Sequence, residues 1–211
     1  MSTIPRTPTN LAASGALGGL LAVCLLYGGY ALASGFGLIG QEVHRALPPA
    51  FLVHATSGGI ALVAAGLQPW PTLRRHFPAL HRVIGRVYVA AVALASLSGV
   101  ANAIAFDAPA AAKASLCLLC VIWLATSVAG QLAARRGDLA RHRTWMLRSL
   151  ALSMFFVTFS VWVPIFARTG MPHDIGYTLA VTLSWTLNLA IAEAIIRATP
   201  TAAHRRETVA G

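Results

Sequence analysis

Hydrophobic residues come in long blocks along this chain, with polar residues in short clusters between them. Six stretches lack Asp, Glu, Lys and Arg altogether: 7–41, 46–73, 87–106, 114–134, 149–167 and 175–192. A bilayer crossing takes about 20 apolar residues, so each stretch holds one helix and none holds two. The pattern predicts spans near 14–38, 49–69, 79–105, 113–134, 140–166 and 176–197. The expected fold class is therefore all-α, a polytopic membrane protein. A single domain over 14–197 is flanked by a cytoplasmic tail at 1–13 and a tail at 198–211 expected to be disordered.

Local punctuation agrees with these limits. Pro48-Pro49 opens the second span, and Pro69-Trp70-Pro71 closes it with Trp70 at headgroup level. Pro78 suits the first turn of the third span, Asp138 the N-cap of the fifth. Glu193 and Arg197 form an i,i+4 pair near the end of the sixth. Arg6, an apolar run and Ala31-Leu32-Ala33 mimic a cleavable signal, but no charge appears before Glu42. That is longer than a signal's apolar region of about 7–15 residues, so the segment reads as an uncleaved first helix.

Composition sharpens the picture. The chain is 57% hydrophobic and 10% charged, against about 25% charged in soluble domains. Its net charge of +10 sits in clusters between spans, which excludes nucleic acid and fits loops facing anionic lipid headgroups. The N-tail, the 74–86 loop, the 135–148 loop and the C-tail carry 1, 4, 5 and 3 Lys/Arg; Arg45, Lys113 and Arg168 stand alone in the alternate loops. Lys and Arg stay on the cytoplasmic side, so this 13 to 3 division predicts both termini inside a bacterial inner membrane. Cys24, Cys117 and Cys120 all lie in apolar runs and form no secreted disulfide framework.

The two Arg-rich loops echo each other. Arg74-Arg75 precedes His81-Arg82 by five residues, and Arg135-Arg136 precedes His142-Arg143 by five. Gly66 and Gln68 stand before the first loop, Gly130 and Gln131 before the second. Spans two to five thus read as a duplicated hairpin forming a four-helix core. In an up-down bundle sequence neighbours pack side by side, which sets spans three and five across the diagonal.

Histidine in or beside a span is often functional. His44, His76, His173 and His204 have no special spacing. With Pro78 and Leu139 as first helical residues, His81 and His142 fall at matching depth near the cytoplasmic end. Neutral imidazole ligates metals, and two imidazoles across a bundle suit the two faces of haem b. Gly85 leaves room beside His81, while Arg82, Arg86, Arg143 and Arg148 suit haem propionates. The alternative is a lipid-phosphate anchor made of the same side chains. His54 lies about 6 Å below the outer end, with Gly58 one turn on; that glycine leaves space for a flat ligand or allows close helix packing. Aligning Gln68 with Gln131 sets Cys117 opposite His54, and with Cys120 the three make a weak metal-site candidate. No Walker loop, His-Glu-x-x-His motif or Ser/His/Asp triad stands out, and no acidic residue lies mid-membrane.

Residues 51–164 resemble a family of bacterial multi-pass membrane proteins known only as a domain of unknown function. The likeness rests on His54, on Leu80-His81-Arg82-x-x-Gly85-Arg86-x-Tyr88, and on Gly137-Asp138-x-x-x-His142-Arg143-x-Trp145-Met146-x-Arg148-Ser149. Members commonly carry an Arg near the place of Ser160, where this sequence departs. More distantly the chain is similar to the cytochrome b561 type of membrane cytochrome, which has six helices and two haems held by His pairs. That likeness implies one bis-His haem at His81 and His142 and a degenerate site at His54, because span four has no histidine. The resulting expectation is a b-type haem electron-transfer protein. The alternative is a non-redox assembly, lipid-binding or transport-related protein using the Arg/His rim. The sequence names no reaction and no protein partner.

Overall fold

The computed structural model of the chain describes residues 8–39 and 49–199, without the side chains of 8–13. Expectations that fall on Arg6, His44, Arg45, Pro48 and the tail beyond Thr199 lie outside the described residues. Within them the chain forms α1 (Pro8–Gly35), α2 (Pro49–Leu67), a short α3 (Pro71–His76), α4 (Pro78–Ala105), α5 (Ala110–Arg135), α6 (Leu139–Ser153), α7 (Phe155–Ala167) and α8 (His173–Ala198). No strand occurs among these residues.

Six spans emerge, Ser14–Gly35, Pro49–Leu67, Pro78–Ala105, Ala110–Arg135, Leu139–Ala167 and His173–Ala198. Their limits lie within three residues of those expected, because charge and proline set both the hydropathy and the helix ends. Pro78 is the first residue of α4, and the Asp138 side chain accepts a hydrogen bond from the Arg141 backbone N–H at 3.0 Å, capping α6. Leu26, Leu94, Leu97, Ile104, Val121 and Ile191 point outward and exposed, as side chains facing lipid do.

Neighbouring helices form a ring: α2 packs on α4, α4 on α5, α5 on α6, and α6 touches α2. α4 and α6 therefore face each other across the centre, as the up-down arrangement predicts. α1 lies against α2, and α8 against α5, α6 and α7. Small residues allow the α1–α2 approach: a Cβ on Gly59 would lie 2.9 Å from the Gly28 carbonyl oxygen, and one on Gly66 2.6 Å from the Cys24 Cβ.

Three features depart from expectation. The two arginine loops close differently: the first folds into α3, the second turns tightly at Gly137 with φ +77°, a conformation that favours glycine. Glu193 turns across to Arg148 on α6 instead of to Arg197 along its own helix, because a guanidinium on a packed neighbour offers a two-point fork. The fifth span is broken at Met154. The Ser153 hydroxyl donates back to the Ser149 carbonyl at 2.9 Å, a contact that bends helices, and the Met154 N–H is shared between the Leu150 and Ala151 carbonyls.

The span changes partners at that break. α6 belongs to the four-helix ring; α7 is held by α8 and touches α1. Thr158 donates to the Ser184 carbonyl at 3.0 Å, and Asn188 donates to the Thr158 hydroxyl at 3.1 Å. Phe156 meets Tyr27 edge-on and stacks on Tyr30 of α1. The ring is thus closed in the half near the arginines and open in the other.

Candidate functional site

At the arginine end, α4 and α6 begin at Pro78 and Leu139, so His81 and His142 each occupy the fourth helical position. His142 Nδ1 donates to the Gly130 carbonyl on α5 at 2.9 Å; a carbonyl only accepts, so this nitrogen carries a proton. His81 Nδ1 is buried without a partner among the described residues. The room expected beside Gly85 is taken: the Gln68 amide lies 3.6 Å from where a Cβ would stand and donates to the His81 carbonyl at 3.1 Å.

The four arginines fare differently. Arg82, Arg86 and Arg143 are exposed and have no carboxylate within ion-pair distance among the described residues. Arg148 is engaged by both oxygens of Glu193, with Nη2 to Oε2 at 3.1 Å, and its guanidinium sits 4.7 Å from the Trp145 ring centre. It is therefore held in place by protein groups.

Seven residues past each histidine lies the next layer. Tyr88 and Ser149 bond hydroxyl to hydroxyl across the diagonal. Tyr88 also meets Ser153 at 2.9 Å, Ser149 meets Ser127 at 2.6 Å, and the Trp123 indole N–H donates to Ser153 at 3.1 Å. All five side chains are buried. This cluster closes the middle of the bundle and seals the histidine layer from the half beyond it.

Beyond the cluster lies a cavity of about 1020 Å³, in the space the fifth span leaves when it departs from the ring. Trp123 and Ser153 contribute to its floor, and Phe51, Phe106, Phe155, Phe156 and Phe159 to its walls. Its polar groups include His54 on α2 and Asn102 on α4, with Cys120 and Asp107 also in the lining. His54 Nδ1 donates to the Ala95 carbonyl at 2.8 Å, so this nitrogen carries a proton as in His142. Gly99 permits this placement, since a Cβ there would lie 2.9 Å from the Cys120 sulfur and 3.1 Å from the His54 ring. Gly58 lines the cavity, and a Cβ on it would meet nothing within 4 Å. Of the two uses open to that glycine, free space is the one realised.

Among the described residues, no three His, Cys, Asp or Glu side chains converge on a metal-sized point. Cys120, rather than Cys117, is the thiol that meets Gly99 beside His54; Cys117 is partly exposed one turn away. Asn102, Gly99, Trp123 and Ser153 did not stand out in the sequence as site residues. The readable signal was Asn102, an amide inside a charge-free span, where a polar side chain needs a reason.

A family model described as Predicted membrane protein (DUF2306) matches residues 51–196. The chain belongs to this family. The DUF2306 match takes in both His-Arg motifs and most of every cavity-forming helix except α1. No curated protein and no solved structure matches the chain. Membership in DUF2306 brings membrane character and no activity, so a functional reading rests on the site itself.

Proposed function

We propose that this protein binds a lipid-soluble small molecule inside the membrane, in the cavity beside His54. One observation carries the reading: an apolar cavity of about 1020 Å³, at the upper limit for ligand pockets, with a fixed imidazole at its wall and open space over Gly58. The positive charges of the arginine loops support N-in, C-in insertion in a bacterial inner membrane, which places the cavity in the periplasmic half. The unpaired Arg82, Arg86 and Arg143 would then meet anionic headgroups on the cytoplasmic side.

Gly58→Leu tests the reading, because it fills the cavity without pressing on a neighbour; Gly29→Leu, in open space on the exposed face of α1, is its control. After purification in nanodiscs, organic extraction and mass spectrometry should find a molecule enriched with wild type and with Gly29→Leu. Gly58→Leu should lose it. Equal recovery from all three overturns the proposal. A periplasm-only reporter at the C-terminus should stay silent if the orientation holds.

A second reading keeps haem b between His81 and His142 for electron transfer. It is supported by the His142 Nδ1 anchor, which frees Nε2 as iron ligands require, and by the matched depth of the two rings. Gln68 beside Gly85 and Glu193 on Arg148 weigh against it, since both occupy groups the haem would use. A red protein whose Soret band is lost in His81→Ala and in His142→Ala would favour it over the cavity reading.

A further inference from the structure

Two polar atoms of the cavity lining share one character. His54 spends its only ring proton on the Ala95 carbonyl, so its Nε2 offers a lone pair and no hydrogen. Asn102 directs one of its two amide N–H groups to the Ala50 carbonyl at 3.3 Å. Its Oδ1 is buried without a partner among the described residues, on a side chain only 6% exposed. The backbone acceptor fixes the orientation of this amide, since a carbonyl cannot face another carbonyl oxygen. Gly99, against which the His54 ring rests, precedes Asn102 by three residues, about 4.5 Å along the helix. Two residues of the cavity lining, His54 and Asn102, thus each carry an acceptor with no donor bonded to it among the described residues. An apolar ligand with only carbonyl or ether oxygens would leave these two acceptors unsatisfied, a costly arrangement for buried polar atoms.

We infer that the ligand carries hydroxyl donors on an aromatic ring: a phenol or hydroquinone headgroup on an apolar tail. Its O–H groups are received by His54 Nε2 and Asn102 Oδ1, and its ring lies among Phe51, Phe106 and Trp123. This rests on the cavity reading above and adds a rule for the headgroup.

The test uses full-length protein in nanodiscs, with empty nanodiscs as blank. Equilibrium dialysis compares decylhydroquinone, its dimethyl ether and decylquinone, which share shape and tail. The hydroquinone should bind at least about 10-fold more tightly than either analogue, and that gap should close in His54→Phe and in Asn102→Leu. If all three bind alike and Gly58→Leu loses all three, the donor rule falls while the cavity reading stands. If none binds above the blank, both fall. Nitrogen NMR of ¹⁵N-histidine wild-type protein, with His54→Phe used for assignment, gives an independent check. A bare Nε2 that shifts on adding the hydroquinone supports the inference; a proton on Nε2 overturns it without reliance on any variant's fold.

Discussion

Tyr88 and Ser149 join their hydroxyls across the diagonal of the bundle, each seven residues beyond a histidine that opens its helix. Seven residues are about 10.5 Å along a helix axis, so the two paired motifs place their elements in matched layers. Tyr88 also ties in Ser153 and Trp123. Tyr88→Phe should therefore cost about 1–3 kcal/mol, since it strips a shared partner from buried groups. Thermal unfolding in detergent should show the loss, with Ser98→Ala, on the exposed side of the same helix, near neutral.

Gly99 and Gly58 are both cavity glycines with opposite surroundings. Gly99→Ala should push the His54 ring off the Ala95 carbonyl and destabilise by about 1–3 kcal/mol. Gly58→Ala should leave stability within about 0.5 kcal/mol. Unfolding midpoints of the two variants provide the comparison, and equal losses would mean that the space over Gly58 is filled.

The Arg148–Glu193 pair is partly buried, with side chains 22% and 31% exposed. Removing either partner should cost about 1–3 kcal/mol, as charged hydrogen bonds do, whereas the exposed Arg141–Asp138 pair should matter far less. A double-mutant cycle for each pair measures this. Coupling near zero at Arg148–Glu193 would return that arginine to the pool available for an anionic ligand.

Thiol chemistry reports on the same geometry. Cys24 is fully buried against Gly66, while Cys120 lines the cavity. A small membrane-permeant thiol reagent should modify the partly exposed Cys117 first, then Cys120, and Cys24 last. Gly58→Leu should slow Cys120 alone. Peptide mapping by mass spectrometry gives the order.

The spans, their ends and the diagonal placement of His81 and His142 were legible in the sequence, because each follows from charge, proline or the up-down order of helices joined by short loops. The cavity was not. It depends on how α7 packs on α8 and α1 after the interruption at Met154, and on what fills the space beside each glycine. Gly58 and Gly85 look alike in sequence, each one turn past a histidine. Only the fold shows that Gln68 covers one and nothing covers the other. Glu193 misled for a related reason: its nearest cation along the chain is Arg197, but packing set α8 beside Arg148.

The interruption at Met154 has a mechanical consequence. Phe155, Phe156 and Phe159 form one side of the cavity from α7, whose main partner is α8, while His54 and Asn102 stand on the α2–α4 hairpin. The aromatic panel and the two polar side chains are thus carried by different helices, the imidazole and the amide being tied within the α2–α4 hairpin by the His54–Ala95 and Asn102–Ala50 hydrogen bonds. The chamber is two-sided: one half bears the polar contacts, the other is greasy and belongs to the helix that follows the interruption. For a guest of the kind proposed above, changing the width of the chamber would mean shifting α7 against the hairpin and would leave the polar wall as it is.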